Sequence, residues 1–460
     1  MPSNTKNVRQ RTRMNSEDSR RPLIGNRGKK SSNARNGLQV SFLCLIASIS
    51  LLVFFFGFYS DALHPVVDHI SGHLGYHNKT KQFAVVIDAG STGTRVLAFE
   101  FHSGYLDGRL VLDKELFKQL KPGLSSFATD HTKAVDQIEK LLVEAKGFVP
   151  REKWAETPIV LKATAGLRLL GPDEANKLLD TARKVLVASG FHTNDESVSI
   201  MDGEDEGLFS WFTVNFLSGR LTGTNTIAAL DLGGGSTQVT YTLTDEKDLS
   251  DTKDFIHSIN VLKRTMNVFT HSYLGLGLMA TRHAIFTDGT DKTEIHSECV
   301  NPIIKNRMWT YGSVDYNING KENPKAKTPQ ADFDKCFEKV KRYVQKLTLP
   351  KPPSLQKHQI GAFSYYYDRA IETGLVDAIA GGETTIKNFH NQAREACASP
   401  NTEQPFMCLD LTFISTLLEY GFGLRQQTVL QLYKKIDGHE ISWALGCAYN
   451  LLTSGRATFA

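Results

Sequence analysis

Two stretches of this chain repeat one design. Residues 83–99 read FAVVIDAGSTGTRVLAF. The strand formers Phe83 to Ile87 lead into an acid, Asp88, and Gly90, Ser91, Thr92, Gly93 and Thr94 follow before strand character resumes at Val96. Residues 226–242 read TIAALDLGGGSTQVTYT and do the same, with Asp231 at the strand end and Gly233, Gly234, Gly235, Ser236 and Thr237 in the turn. Each stretch predicts a hairpin whose glycines let the backbone approach a ligand and whose N–H and hydroxyl groups donate to phosphate oxygens. One such hairpin says little, because Gly-Ser-Thr turns are common. Two, with their acids 231 − 88 = 143 residues apart, predict similar α/β lobes that offer their tips to one polyphosphate between them. Asp88 and Asp231 are hard oxygen donors suited to Ca²⁺ or Mg²⁺, with water between carboxylate and ion.

Three more segments bear chemistry. Pro158 to Leu161 reads as a strand running into a small-residue loop where Thr164 can turn its hydroxyl to the site, and a structural salt bridge is the expectation for Arg168. Gly203-Glu204-Asp205-Glu206-Gly207 is an acidic run ahead of an apolar, amphipathic helix, Leu208 to Leu217. Such a run is commonly a solvated turn, but it also places Glu206 at a helix start. Ile360 to Phe363 reads as a strand entering Tyr365, Tyr366 and Tyr367; one of these is expected to stack on a nucleobase and the others to pack in the core. Ser236 and Gln238 either cap their own hairpin or, with Thr164, hold a water by hydrogen bonds.

The blocks DAGSTGTR (88–95), LKATAGLRLL (161–170), DGEDEGLFSWFTVNFL (202–217), DLGGGSTQ (231–238), FSYYYD (363–368) and SWALG (442–446) together resemble the apyrase family, the nucleoside triphosphate diphosphohydrolases, over roughly residues 82 to 452. The resemblance implies two ribonuclease-H-like lobes of the actin, heat-shock chaperone and sugar-kinase type around a nucleotide cleft. It divides the chain into a cytosolic basic tail (1–37), a transmembrane signal anchor (38–59), a lumenal stalk (60–81), lobe I (82–202, completed by 438–460) and lobe II (203–437). It makes Glu206, rather than Glu204 or Asp205, the general base that deprotonates water in the hydrolysis of a phosphoanhydride. It also implies a single-anchor Golgi or endoplasmic-reticulum enzyme that cleaves nucleoside diphosphates such as UDP and GDP to monophosphate and phosphate. A broader triphosphate and diphosphate apyrase, and a non-hydrolytic nucleotide-binding protein of the same fold, are the alternatives. A sugar kinase would need an acceptor-binding acid, and a polyphosphatase a Lys or Arg cluster beside the loops; neither is found.

The amino terminus fits that placement. Residues 1–37 carry ten Lys or Arg against Glu17 and Asp18, with few apolar residues, and should be disordered. Leu38 to Tyr59 is uncharged and long enough to span a bilayer as a helix, and the flanking charges set the tail in the cytosol and the body in the lumen. Cleavage near Ser60-Asp61-Ala62 would instead release a secreted form. The net charge of +4 over 460 residues, much of it in that tail, gives no case for nucleic acid. Asn78-Lys79-Thr80 is a glycosylation sequon. The histidines at 64, 69, 73 and 77 belong to a solvated linker rather than a metal site. Of the cysteines, Cys44 lies in the anchor and Cys447 in an apolar run, as a buried free thiol. The remaining four allow three disulfide connectivities; the shorter loops and the resemblance favour Cys299–Cys336 and Cys397–Cys408, and spacing gives no support to a zinc site. Ala134 to Val143 and Leu411 to Leu418 are expected to be helical, residues 310–332 a surface loop, and residues 438–446 the start of a closing helix.

Overall fold

A computed structural model describes residues 32–59, 81–104, 108–261, 264–348 and 350–453. Its contacts divide the chain into two units, residues 1–76 and 77–460. In the first, helix α1 (Ser32–Tyr59) covers the uncharged run and begins before it, inside the stretch expected to be disordered. Among the described residues no helix is long and apolar enough to cross a membrane; side chains of α1 are described only over residues 41–55. The rest of the basic tail, the stalk with its histidines and Asn78, and the Ser60-Asp61-Ala62 cleavage point lie outside the described residues.

The second unit is built on two mixed sheets. Strands β1 (Gln82–Ala89), β2 (Thr94–Ser103), β3 (Leu110–Leu120), β4 (Ile159–Ala163) and β5 (Val198–Ile200) form the first, in the order β3-β2-β1-β4-β5. The hairpins β1-β2-β3 are antiparallel, and β4 and β5 continue from β1 in parallel. Side chains alternate across a strand, so the unbroken apolar run of β1 needs cover on both faces. Val85 and Ile87 pack with helices α2 (His131–Phe148) and α3 (Pro172–Val187), while Ala84 and Val86 face the other way. The helix expected at Ala134 to Val143 is thus present and longer.

The other face of β1 packs on the closing helix, Trp443–Thr453, which in turn packs beside α4 (Gly203–Leu217). The second sheet uses β6 (Ala228–Leu232), β7 (Ser236–Thr242), β8 (Ile256–Val261) and β9 (Arg264–Leu274), then, beyond a small separate sheet of β10 (Glu294–Ser297), β11 (Arg307–Tyr311) and β12 (Val314–Gly320), also β13 (Ile360–Ser364), β14 (Gly382–Thr385) and β15 (Val429–Leu432). Its order is β14-β15-β13-β6-β7-β9-β8. The run β9-β7-β6-β13-β15 matches β3-β2-β1-β4-β5 in order and in strand sense. The expectation of one topology used twice is met. Residues 310–332 are corrected: much of that stretch is the β11–β12 hairpin, because Tyr316 and Ile318 alternate inward beneath a polar surface.

Helix α4 is corrected too. It starts at Gly203 and is buried on all sides from Glu206 to Asn215, not amphipathic, because the second sheet packs on one side of it and the closing helix on the other. Helices α5 (Leu278–Thr287), α6 (Phe333–Leu347), α7 (Tyr365–Glu372), α8 (Ile386–Ala398) and α9 (Met407–Thr416) cover the far face of the second sheet. Both expected disulfides form there. Cys299–Cys336 ties the end of β10 to α6 and Cys397–Cys408 ties α8 to α9, with Cα–Cα distances of 4.9 and 4.5 Å. The closing helix α10 (Trp443–Thr453) starts later than expected, after a small ladder of Lys435–Ile436 on His439–Glu440. It packs beside α4 against β1, and Cys447 is a buried free thiol.

Candidate active site

Both glycine turns sit at hairpin tips, as the sequence predicts. Asp88 pairs with Arg95 across β1–β2, and Asp231 with Gln238 across β6–β7. The tips approach each other so closely that a Cβ on Gly234 would collide with the Ser91 hydroxyl. A cleft of about 460 Å³ opens beside them, lined by Asp88, Thr164, Glu206, Asp231, Ser236 and Tyr365 among others.

Asp88 is nearly buried. Its Oδ2 accepts from Arg95 Nη1 at 2.8 Å, and its Oδ1 is buried without a partner. Burial raises its pKa, against the pull of Arg95. The Asp231 carboxylate accepts from Ser210 Oγ at 3.2 Å, and burial raises its pKa against hydrogen bonding from Ser364 and Ser210. An orphaned buried carboxylate oxygen costs free energy unless a ligand satisfies it. The orphaned oxygen of Asp88 at one hairpin tip, facing the buried Asp231 carboxylate at the other, therefore fits a hard divalent cation. Among the described residues no three His, Cys, Asp or Glu side chains surround a common metal position, so the remaining donors would be water and phosphate.

Glu206 lies in the first turn of α4, which Asp202 caps by accepting from the Glu204 N–H at 2.8 Å. Its Oε2 accepts from Arg168 and, at 3.1 Å, from Gln238 Nε2. Burial pushes the Glu206 carboxyl up to about 8, opposed by Arg168 and reinforced by the charges of Asp231 and Asp88. Such a value suits a base working near neutral pH. The salt bridge expected of Arg168 is present, and its partner is the candidate base. Gln238 Nε2 also lies 2.9 Å from both Ser236 Oγ and Ser272 Oγ. Glu206, Ser236 and Gln238 are thus drawn to one corner, and Thr164 lines the same cleft.

The remaining candidates divide. Gly90, Ser91, Thr92, Gly233, Gly234 and Gly235 line the cleft. Gly93 and Thr94 do not. The Thr94 hydroxyl donates to Gln137 of α2 at 2.6 Å, because the alternation that turns Arg95 towards Asp88 turns Thr94 to the opposite face. Tyr365 lines the cleft with Arg369 over its ring at 5.7 Å. Tyr366 is fully buried in the core, which removes it as a base platform. Tyr367 is almost fully buried, reaches the cleft wall, and donates its hydroxyl to the Ala378 carbonyl at 2.7 Å. Residues the sequence did not mark are Arg95, Ser210, Ser272 and Ser364. Ser364 ends β13 with φ +57°, a strained value for a non-glycine residue, beside Asp231. Arg95 could have been read from its place inside the first block; the three serines become neighbours only through strand pairing.

An α/β protein with two mixed sheets of matching order, paired glycine tips, two strand-end acids and a buried glutamate is built to handle phosphoanhydrides. The chain belongs to the GDA1/CD39 (nucleoside phosphatase) family, whose pattern it matches over residues 75–458. It is 41% identical over 385 residues to ectonucleoside triphosphate diphosphohydrolase 5 of Ailuropoda melanoleuca, covering 81% of this chain and 88% of that one. It is 40% identical over 383 residues to the human nucleoside diphosphate phosphatase ENTPD5, with the same coverage. Human ectonucleoside triphosphate diphosphohydrolase 6 is 39% identical over 81% of this chain and 77% of its own. Among solved structures, a Neospora caninum nucleoside triphosphate hydrolase superposes with a TM-score of 0.52 at 14% identity, over 86% of this chain and 97% of that one, a likeness of fold.

Proposed function

We propose that this nucleoside phosphatase hydrolyses nucleoside diphosphates, UDP and GDP foremost, to monophosphate and phosphate. The observation that carries the reading is the buried Glu206 carboxylate beside two phosphate-binding tips. Relatives at about 40% identity that bear the diphosphate phosphatase name support the diphosphate. Backbone N–H groups of residues 90–92 and 233–235 hold the phosphate oxygens, and Thr164, Ser236 and Gln238 orient a water. Glu206 takes one proton from that water, and the water oxygen bonds to the terminal phosphorus. The bond from that phosphorus to the bridging oxygen breaks, and the electron pair leaves with the monophosphate. Asp88 and Asp231 would hold a divalent cation, Mg²⁺ or Ca²⁺, through water, and it would neutralise phosphate charge there. Tyr365 is the nucleobase platform.

The working place proposed is the lumen of the Golgi or endoplasmic reticulum, with residues 38–59 as a type II anchor and Asn78 glycosylated. The uncharged run and two disulfides in one domain support an oxidising compartment. The test is phosphate release from UDP, GDP, ADP and the matching triphosphates, with Mg²⁺, with Ca²⁺ and with chelator. Diphosphates cleaved only with metal uphold the reading. Triphosphates cleaved much faster would replace it with a general apyrase.

A further inference from the structure

We propose that Arg168 is a positioning residue which, with Gln238, engages one oxygen of the Glu206 carboxylate and so reserves the other, Oε1, for the attacking water. The inference rests on Glu206 as the general base. Arg168 closes the short helix Ala165–Arg168 that follows β4, and its Nη2 donates to Glu206 Oε2. Gln238 of β7 donates Nε2 to the same Oε2 at 3.1 Å. Among the described residues Oε1 accepts no hydrogen bond, although Glu206 lines the cleft. Both donors on one oxygen and none on the other is an asymmetry that a purely structural ion pair does not need. Arg-carboxylate pairs built for strength are commonly two-pronged.

The approach depends on the backbone. Gly203 opens α4, and a Cβ there would collide with Arg168 Nη1 and with the Ser272 side chain. Ser272, on β9, lies 2.9 Å from Gln238 Nε2, so it fixes the second donor. Two elements thus converge on Oε2, with β9 behind the second donor, through a gap that only glycine leaves. The charged groups that act on Glu206 are Arg168, Asp231 and Asp88, and Arg168 is the one cation among them. With Oε2 pinned, the carboxylate cannot rotate and the lone pair of Oε1 keeps a fixed direction. In-line attack is sensitive to such direction, since a misplacement of about 1 Å can cost on the order of a hundredfold in rate.

The test compares Arg168→Met, Arg168→Lys and Glu206→Gln in the full-length protein, by steady-state phosphate release from UDP with Mg²⁺, its pH profile, and the melting temperature. For Arg168→Met the expected result is kcat lower by on the order of tenfold or more, part of the hundredfold-plus a general base supplies. KM stays nearly unchanged, and the acid limb of the kcat profile moves to higher pH because the cation that favoured the carboxylate is gone. Arg168→Lys restores the limb but only part of kcat, since an ammonium lacks the planar guanidinium reach. If Arg168→Met does not fold, Arg168→Lys carries the test on the same split. Wild-type kcat with an unmoved limb in the folded variants, whatever the melting temperature, overturns the proposal. Full activity in Glu206→Gln would overturn the base assignment itself, which separates that failure from a failure of the clamp alone.

Discussion

At the scale of single residues, Glu206 as the proposed base should set the pH behaviour. Its carboxyl is pushed up to about 8 by burial, and the base works only when deprotonated. In kcat/KM, which reports the free enzyme, activity should therefore rise with pH along a limb well above the ordinary glutamate value of 4.5. Stability runs the opposite way. A folded-state value above the unfolded one gives stability that is complete below about 4.5 and is lost as pH rises through about 8. The melting temperature of the metal-free, nucleotide-free protein should fall across that window, and Glu206→Gln should flatten the fall. A slope unchanged in the variant would assign it to other groups. Much of this was legible in the sequence. Asp88, Asp231 and Glu206 stand out because an acid that ends an apolar strand or opens an apolar helix needs a chemical reason. Thr94 was misplaced because hairpin-tip residues share a composition, while only the pleat decides which of them face the ligand. Ser210, Ser272 and Ser364 could not be found, since nothing local in their segments records which strand will lie beside them.

At the scale of elements, the two hairpin tips form one device, each shaping the other. Gly234→Ala would drive a methyl group into Ser91 and Thr92 of the facing tip. A small displacement there should lower kcat/KM by on the order of a hundredfold, with a melting temperature close to wild type. Phosphate release and thermal unfolding check the two halves of that prediction, and an unaffected rate would mean the tips do not share a ligand. Helix α4 shows what periodicity misses. Its apolar run was visible, but the burial of every side around Glu206 follows from the second sheet and α10 enclosing it, which no single helical pattern reports. The β11–β12 hairpin was hidden for the converse reason: Tyr316 and Ile318 carry its inward face, and the surrounding Asn and Lys read as loop.

At the scale of the molecule, the repeated strand-acid-glycine device foretold two sheets of matching order, and the two sheets carry it. What joins them is the core between, where Phe212 of α4 packs with Phe216 and with Tyr449 of α10 at ring distances of 5.6 and 4.8 Å. Phe212→Ala should cost about 3–5 kcal/mol in chemical denaturation. A cost near zero would mean that the sheets are not held together through this helix pair. Loss of Cys299–Cys336, which closes a 37-residue separation, should remove about 2–4 kcal/mol, read by the same denaturation on a Cys299→Ala, Cys336→Ala double variant. The shorter loops and the family resemblance, and not any spacing rule, favoured those partners in advance.

The most direct measurement compares wild type with Glu206→Gln in phosphate release from UDP with Mg²⁺, alongside nucleotide binding by each. The account predicts that binding persists while turnover falls by on the order of a hundredfold or more. Equal turnover in the two proteins, or binding without turnover in the wild type, would contradict it.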